Sequence, residues 1–192
     1  MKTRFFAAVA AASLILADAA PAAAALKTAV FAGGCFWSAE HDIEHTPGVT
    51  NVVVGYAGGR GNNPSYENHD GFLESIKVTY DPAKITYAQL VDAFFRHIDP
   101  TDPNGQICDQ GPSYRTAVFV ASPQERAAAE AVKAQVAKTL NRSVATRILP
   151  SAAFFVGEGY HQDYAAKNPA AYMRYRIGCG RDRTLKAVWG GR

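Results

Sequence analysis

Apolar residues along this chain change their spacing from segment to segment, and the spacing separates strands from helices. Thr28-Ala29-Val30-Phe31-Ala32 is a short apolar run that predicts a buried strand, ended by Gly33-Gly34. Ser38 to His45 carries few strand formers and predicts a helix. Val49 to Tyr56 is rich in β-branched residues between Pro47-Gly48 and Gly58-Gly59, which predicts a second strand. Ile76, Val78 and Tyr80 alternate with polar neighbours in a third, closed by Asp81-Pro82. Thr86-x-x-Gln89 has the spacing of a capping box, and Leu90, Val91, Phe94, Phe95 and Ile98 follow at helical intervals. Thr116 to Ala121 reads as a strand. Ser122-Pro123-Gln124-Glu125 then supplies a capping serine, a first-turn proline and a capping glutamate for an alanine-rich helix to about Leu140. Ala145 to Leu149 and Ala153 to Val156 are the last strands. Beyond Gly157 the periodicity fades, and one short helix near Pro169 to Arg174 is expected in an otherwise irregular tail.

Strands and helices intermingle without a repeat or an internal boundary. This predicts an α/β (α+β) fold: a two-layer sandwich on a mixed central sheet, followed by a long, largely irregular C-terminal tail. Two loops interrupt it. Residues 57 to 71 are glycine-rich, and a loop of that length is usually kept for function. Residues 99 to 113 hold three prolines and two glycines.

The beginning of the chain has a different character. Lys2 and Arg4 precede an apolar run from Phe5 to Leu16, and small residues continue through Ala25. Residues 1–25 are therefore read as a secretory signal peptide and residues 26–192 as one catalytic domain, which makes the mature protein exported and periplasmic. The apolar run is short for a membrane span, and no later segment offers the ~20 apolar residues such a helix needs. Without Lys2, Arg4 and Asp18 the net charge falls from +3 to +2, so no nucleic-acid partner is indicated. Arg174, Arg176, Arg181 and Arg183 cluster near the end, where a solvated tail or a patch for an acidic partner fits equally well. The three cysteines, Cys35, Cys108 and Cys179, are an odd number for an exported chain. One thiol must stay free, pair between molecules, or cycle in catalysis. No Cys-x-x-Cys or spaced Cys/His set points to a structural zinc, and no bound metal or cofactor is expected.

Cys35 is the best nucleophile among them. Gly33-Gly34 lets the backbone turn sharply just before it, and Phe36-Trp37 behind it would wall an apolar pocket. At a helix N-terminus, unpaired N–H groups and the helix dipole would favour its thiolate.

Gly-Cys-Phe-Trp after a short strand is followed in order by Pro47-Gly48-Val49, Gly55-Tyr56-Ala57-Gly58-Gly59, Asn63-Pro64-Ser65-Tyr66, Glu74, Tyr80-Asp81-Pro82, Asp109 to Tyr114-Arg115, His161-Gln162-Asp163-Tyr164 and Asn168-Pro169. On these motifs the chain after residue 27 resembles the class A peptide methionine sulfoxide reductases. The resemblance implies reduction of methionine-(S)-sulfoxide, in proteins or free, through a sulfenic acid on Cys35. It implies that Glu74 protonates the departing oxygen, that Tyr66 and Tyr114 hydrogen-bond it, and that Asp109 helps order the site. Taken alone, Glu74 reads as an ordinary surface carboxylate. Phe36, Trp37, Tyr164 and His161 are expected to bind substrate. Cys179, in a flexible Gly-Cys-Gly, is favoured as the resolving thiol, with Cys108 as the alternative, and a thioredoxin-like dithiol protein as reductant and partner of a monomeric enzyme. Two departures stand out: Gly71-Phe72-Leu73-Glu74 replaces the usual Gly-His-Ala-Glu after a shortened loop, and the tail has one cysteine where many relatives have two, which leaves a two-step relay without its second tail thiol.

Three other readings remain. His41-x-x-Glu44-His45 matches an inverted zinc-peptidase motif. Cys35 with His161 could form a hydrolase dyad. Cys108 and Cys179 could form a static disulfide in a binding module that leaves Cys35 buried.

Overall fold

The computed structural model describes residues 25–190, so the signal segment expected at residues 1–25 lies, but for Ala25, outside the described residues. In chain order the elements are β1 (Lys27–Ala32), α1 (Phe36–Ile43), β2 (Val49–Ala57), β3 (Leu73–Tyr80), α2 (Tyr87–Arg96), β4 (Gly105–Gln106), β5 (Asp109–Gln110), β6 (Ala117–Val120), α3 (Pro123–Leu140), β7 (Arg147–Pro150), β8 (Phe154–Val156), α4 (Tyr164–Lys167), α5 (Pro169–Cys179) and α6 (Arg181–Trp189). Six strands form one sheet in the order β7-β6-β1-β3-β2-β8, and β4 and β5 form a small hairpin outside it. Pairing is antiparallel except between β6 and β7, so the sheet is mixed as expected.

Alternation along β1 builds two apolar clusters on opposite faces of the sheet. Ala29 and Phe31 point into the main core, where Phe31 stacks on Phe94 of α2 at 4.7 Å. Val30 and Ala32 point the other way, toward Leu73 and Phe119. Local chemistry explains the helix starts. Thr86 and Gln89 form the capping box before α2. Ser122 accepts the Glu125 N–H before α3, but the Glu125 carboxylate turns to Ala121 N (2.7 Å) instead of closing the box on Ser122.

The tail departs from expectation: it is helical, not largely irregular. The inward face of α5 consists of Tyr172, Tyr175, Arg176 and Cys179, at i, i+3, i+4 and i+7. That is helical periodicity written in phenols, a cation and a sulfur instead of aliphatic residues, so apolar spacing does not reveal it. Asp42 of α1 anchors this face, accepting from Arg176 Nη1 (2.7 Å) and Arg181 Nε (2.9 Å), while Arg181 also donates to the His97 carbonyl. Thus two of the four clustered arginines serve an acidic partner inside the molecule. Gly180, at φ +68°, ends α5 and begins α6.

Candidate active site

The site sits where β1 runs into α1. Gly34, at φ +80°, passes so close to Gln106 that an added Cβ would lie 2.4 Å from its Cβ, and this close approach delivers Cys35 to the N-cap of α1. Glu74 is the second residue of β3, facing Tyr56 of β2 in register. Its Oε2 accepts the Phe36 N–H at 3.0 Å. Cys35 is 6% exposed and Glu74 1%. Between them lies a cavity of about 190 Å³ that brings together all five residues expected to act in catalysis: Cys35, Glu74, Tyr66, Tyr114 and Asp109. Phe36 and Trp37 form its aromatic wall, and Tyr175 of α5 completes it.

Burial sets the protonation states. It pushes the Glu74 carboxyl up to about 8, with Asp109 adding to the effect and the Phe36 N–H partly offsetting it. Near neutral pH the group is therefore a carboxylic acid with a proton to give. Burial likewise holds the Tyr66 and Tyr114 phenols above their usual range, followed by the charge of Glu74, so both remain donors. The expected low-pKa thiolate is not found at Cys35. Burial and the neighbouring Glu74 push that thiol up to about 12, outweighing the opposing influence of the Tyr175 hydroxyl and the Trp37 N–H. The physical reason is that the first N–H of α1 is spent on Glu74, and a buried carboxyl faces the sulfur where open helix dipole was expected.

Trp37 is held from two sides. Tyr164 stacks on it at 3.8 Å and 7°, and its indole N–H donates to His161 Nδ1 at 3.0 Å. Burial lowers His161, which keeps it neutral and able to accept. His161 also packs against Phe36 (4.9 Å) and Tyr66 (4.6 Å). Tyr164 and His161 thus stand behind the pocket wall rather than lining the cavity. Because His161 Nδ1 is taken by Trp37, and no hydrogen bond joins it to Cys35 among the described residues, the hydrolase dyad is not formed.

Two residues were missed in the sequence. Glu158 accepts Tyr66 N (2.8 Å) and the Tyr56 hydroxyl (2.9 Å), pinning the glycine-rich loop to β2. Nothing in its neighbourhood of the sequence announces this. Tyr175 donates to Asp109 Oδ2 at 2.6 Å, and only the helical spacing with Tyr172, Arg176 and Cys179 could have found it.

The two candidate resolving thiols are joined to each other. Cys108 and Cys179 form a disulfide with Cα atoms 5.2 Å apart, which leaves Cys35 as the free thiol. Both sulfurs lie within 4.8 Å of the Asp109 carboxylate, so the disulfide stands at the edge of the site. His41, Glu44 and His45 also cluster, on the last turn of α1 and just beyond it. There His45 Nδ1 bonds the His41 carbonyl at 2.8 Å, and neither ring nor carboxylate reaches the cavity wall.

One buried sulfur facing a neutral carboxylic acid and phenol donors, with a sulfur pair beside it able to exchange electrons, defines a cysteine-based oxidoreductase. Residues 27–192 match the family model described as peptide methionine sulfoxide reductase, and the chain belongs to that family. Peptide methionine sulfoxide reductase MsrA 2 of Caulobacter vibrioides is 51% identical over 189 residues, covering 95% of this chain and 96% of that protein. Among solved structures, Mxr1 from Saccharomyces cerevisiae in reduced form superposes with a TM-score of 0.69 at 32% identity, over 76% of this chain and 87% of that one. Mxr1 in complex with Trx2 gives a TM-score of 0.53 at 26% identity, over 79% and 91%.

Proposed function

We infer that this protein reduces methionine sulfoxide to methionine, with Cys35 as the nucleophile and Glu74 as the acid. One observation carries this reading: a carboxyl group raised to about 8 and a free thiol line the same aromatic-walled cavity. A sulfoxide cannot expel bare oxide, so its oxygen must be protonated as sulfur is attacked. Glu74 donates that proton while the Tyr66 and Tyr114 hydroxyls hold the oxygen, in the manner of an oxyanion hole. The positive sulfur created by protonation favours thiolate at Cys35, counteracting the burial that keeps it a thiol at rest. Cys35 sulfur bonds to the activated sulfur and its proton restores Glu74; the hydroxyl then passes to the Cys35 sulfur as the transient S–S bond and the methionine S–O bond both break. Oxygen stays on Cys35 as sulfenic acid, so the cysteine is oxidised by the two electrons that the sulfoxide gains.

Phe36 and Trp37 receive the methyl on the reacting sulfur. With the donors fixed on one side of that wall, one oxygen configuration is accepted, and the S epimer is proposed. Cys179 then condenses with the sulfenic acid, releasing water, and Cys108 displaces Cys35 to leave the Cys108–Cys179 disulfide and a free Cys35. The observed pairing supports this relay, with Cys108 in the role of the second tail thiol. Mxr1 in complex with Trx2 supports a thioredoxin-like dithiol protein as the final reductant. The N-terminal pattern of charge, apolar run and small residues supports export to the periplasm, and a disulfide is at home there. Substrates are oxidised proteins or free methionine sulfoxide, acted on by a monomer with no membrane insertion once the signal is removed. No described helix is long and apolar enough to cross a membrane.

The test incubates purified mature protein with each epimer of a methionine sulfoxide peptide and dithiothreitol. Methionine should form from the S epimer alone. Formation from neither epimer would sink the assignment, and formation from the R epimer would overturn the stereochemical part.

A further inference from the structure

Helix α5 and the β4–β5 hairpin are tied together twice, once covalently and once by a hydrogen bond on the wall of the cavity that holds Cys35. Cys179 on α5 is bonded to Cys108, and the residue after Cys108, Asp109, accepts from the Tyr175 hydroxyl at 2.6 Å, one turn of helix before Cys179. That hydroxyl stands on the same cavity as the Cys35 thiol, and the Tyr175 ring stands edge-on to Trp37 at 6.1 Å. With Tyr175 in this place Cys35 is 6% exposed.

The end of α5 is weak without its covalent tie. Its last residues are Ile177-Gly178-Cys179 before the left-handed Gly180, and a Cβ on Gly178 would touch nothing. Glycine in such a turn favours fraying. The other anchors of α5, Arg176 on Asp42 and buried Tyr172 against His41, join it to α1, so without the disulfide the Tyr175–Asp109 hydrogen bond is what ties it to the hairpin.

We propose that Tyr175 is a redox-controlled stopper of the active site: while Cys108–Cys179 is closed it covers Cys35 and bars the sulfoxide, and reduction of that disulfide releases it. A dithiol protein supplies two electrons and two protons, the Cys108–Cys179 bond becomes two thiols, and the donor leaves as its own disulfide. The hairpin carrying Asp109 then separates from α5, and Tyr175 loses the partner that holds it over the sulfur. The stopper gives the cycle an order. In the closed state no thiol is left to resolve a sulfenic acid on Cys35, and oxygen transfer at that moment would expose it to irreversible oxidation. Electrons must arrive before oxygen is taken. The sulfoxide in this proposal rests on the function inferred above, whereas the covering of Cys35 does not.

Two measurements test it. Alkylation of Cys35 by iodoacetamide is followed in disulfide-closed protein and in Cys108→Ser/Cys179→Ser protein, each with Cys35 as its single thiol. The closed form should react about tenfold more slowly or worse, and in Tyr175→Ala protein the disulfide should no longer change the rate. Tyr175→Phe, which keeps the ring and its packing, should fall between. Equal rates in the first pair overturn the proposal, as does a disulfide effect that persists in both Tyr175 variants. In the second measurement, fully reduced protein freed of reductant is mixed with excess methionine sulfoxide. It should form one methionine per molecule quickly and a second about tenfold more slowly, against two at similar rates for Tyr175→Ala. Two fast equivalents from the unaltered protein would refute the stopper. Absence of methionine alongside alkylation that still follows the disulfide would refute the substrate while upholding the covering of Cys35.

Discussion

The first strands and the last helices place their functional side chains by different means. Glu74 is carried by β3, which has hydrogen-bonded neighbours on both sides, and Cys35 lies three residues past β1, pressed into place by the contact of Gly34 with Gln106. Tyr175 and Cys179 ride on a helix held by side chains: the Asp42 ion pairs, the Asp109 hydrogen bond and one disulfide. The proposed oxygen transfer thus rests on groups placed by a backbone ladder and a glycine contact, while the proposed regeneration rests on side-chain contacts that can be broken one at a time. A reaction that needs one sulfur fixed and another delivered to it requires this asymmetry.

Substitutions in the two regions should therefore fail in different ways. The largest effect is expected from Cys35→Ser, which should abolish methionine formation outright; any turnover above background in the epimer assay would contradict its role. Cys179→Ser should still form one methionine per molecule and then stop with a dithiol protein as donor, and sustained turnover would assign resolution to Cys108. Glu74→Gln should slow the first methionine by about 10²- to 10⁴-fold in rapid-mixing experiments, the range for loss of a general acid. In the unaltered protein that rate should fall as pH rises through about 8, where Glu74 loses its proton, and the limb should vanish in the Gln variant.

Glu74 also carries a stability signature of fixed sign. Its folded pKa is raised, so between the ordinary carboxyl value of 4.5 and about 8 the unfolded chain is ionised while the folded chain keeps the proton. Stability should fall with rising pH across that window and level off above it. Glu40, pushed up to about 7 by its own burial, adds a similar slope, so the difference between the protein and Glu74→Gln in melting temperature isolates Glu74. The smallest effect on chemistry, but a clear one on the tail, is expected from Asp42→Asn. It leaves Arg181, 1% exposed, without its counter-charge, at a cost of about 3 to 5 kcal/mol. Hydrogen exchange should quicken in α5 and α6 and stay slow in β1 and β3. Uniform loss of protection would remove the distinction between the two regions.

The same contrast governs how much could be read in the sequence. β2 and β3 are legible from β-branched and alternating residues, and α2 and α3 from Thr86-Gln89 and Ser122-Glu125, because capping and aliphatic periodicity are local. The catalytic pocket is legible at Cys35, Phe36 and Trp37, and Glu74 only through resemblance. Of the tail helices only the start of α5, near Pro169 to Arg174, was legible; the rest was not, since Tyr172, Tyr175 and Arg176 carry no aliphatic stripe. The state of Cys35 was not either. Whether a helix N-terminus is open or taken depends on a carboxylate 38 residues away, which no spacing around the cysteine encodes. Pairing of Cys108 with Cys179 was legible only as a static bond in a binding module, because 71 residues separate two cysteines that the folded tail brings together beside the site.

Gln162 reaches the margin of the sheet where β8 stops. Its Oε1 accepts the Val54 N–H at 2.9 Å and its Nε2 donates to the carbonyls of Val54 and Gly157 at 3.0 Å. A single amide thereby imitates one residue of a missing strand and occupies hydrogen-bonding positions that a foreign chain could otherwise adopt. Shortening it to alanine would uncover a β edge, and the penalty would appear as self-association at high concentration before it appeared in catalysis.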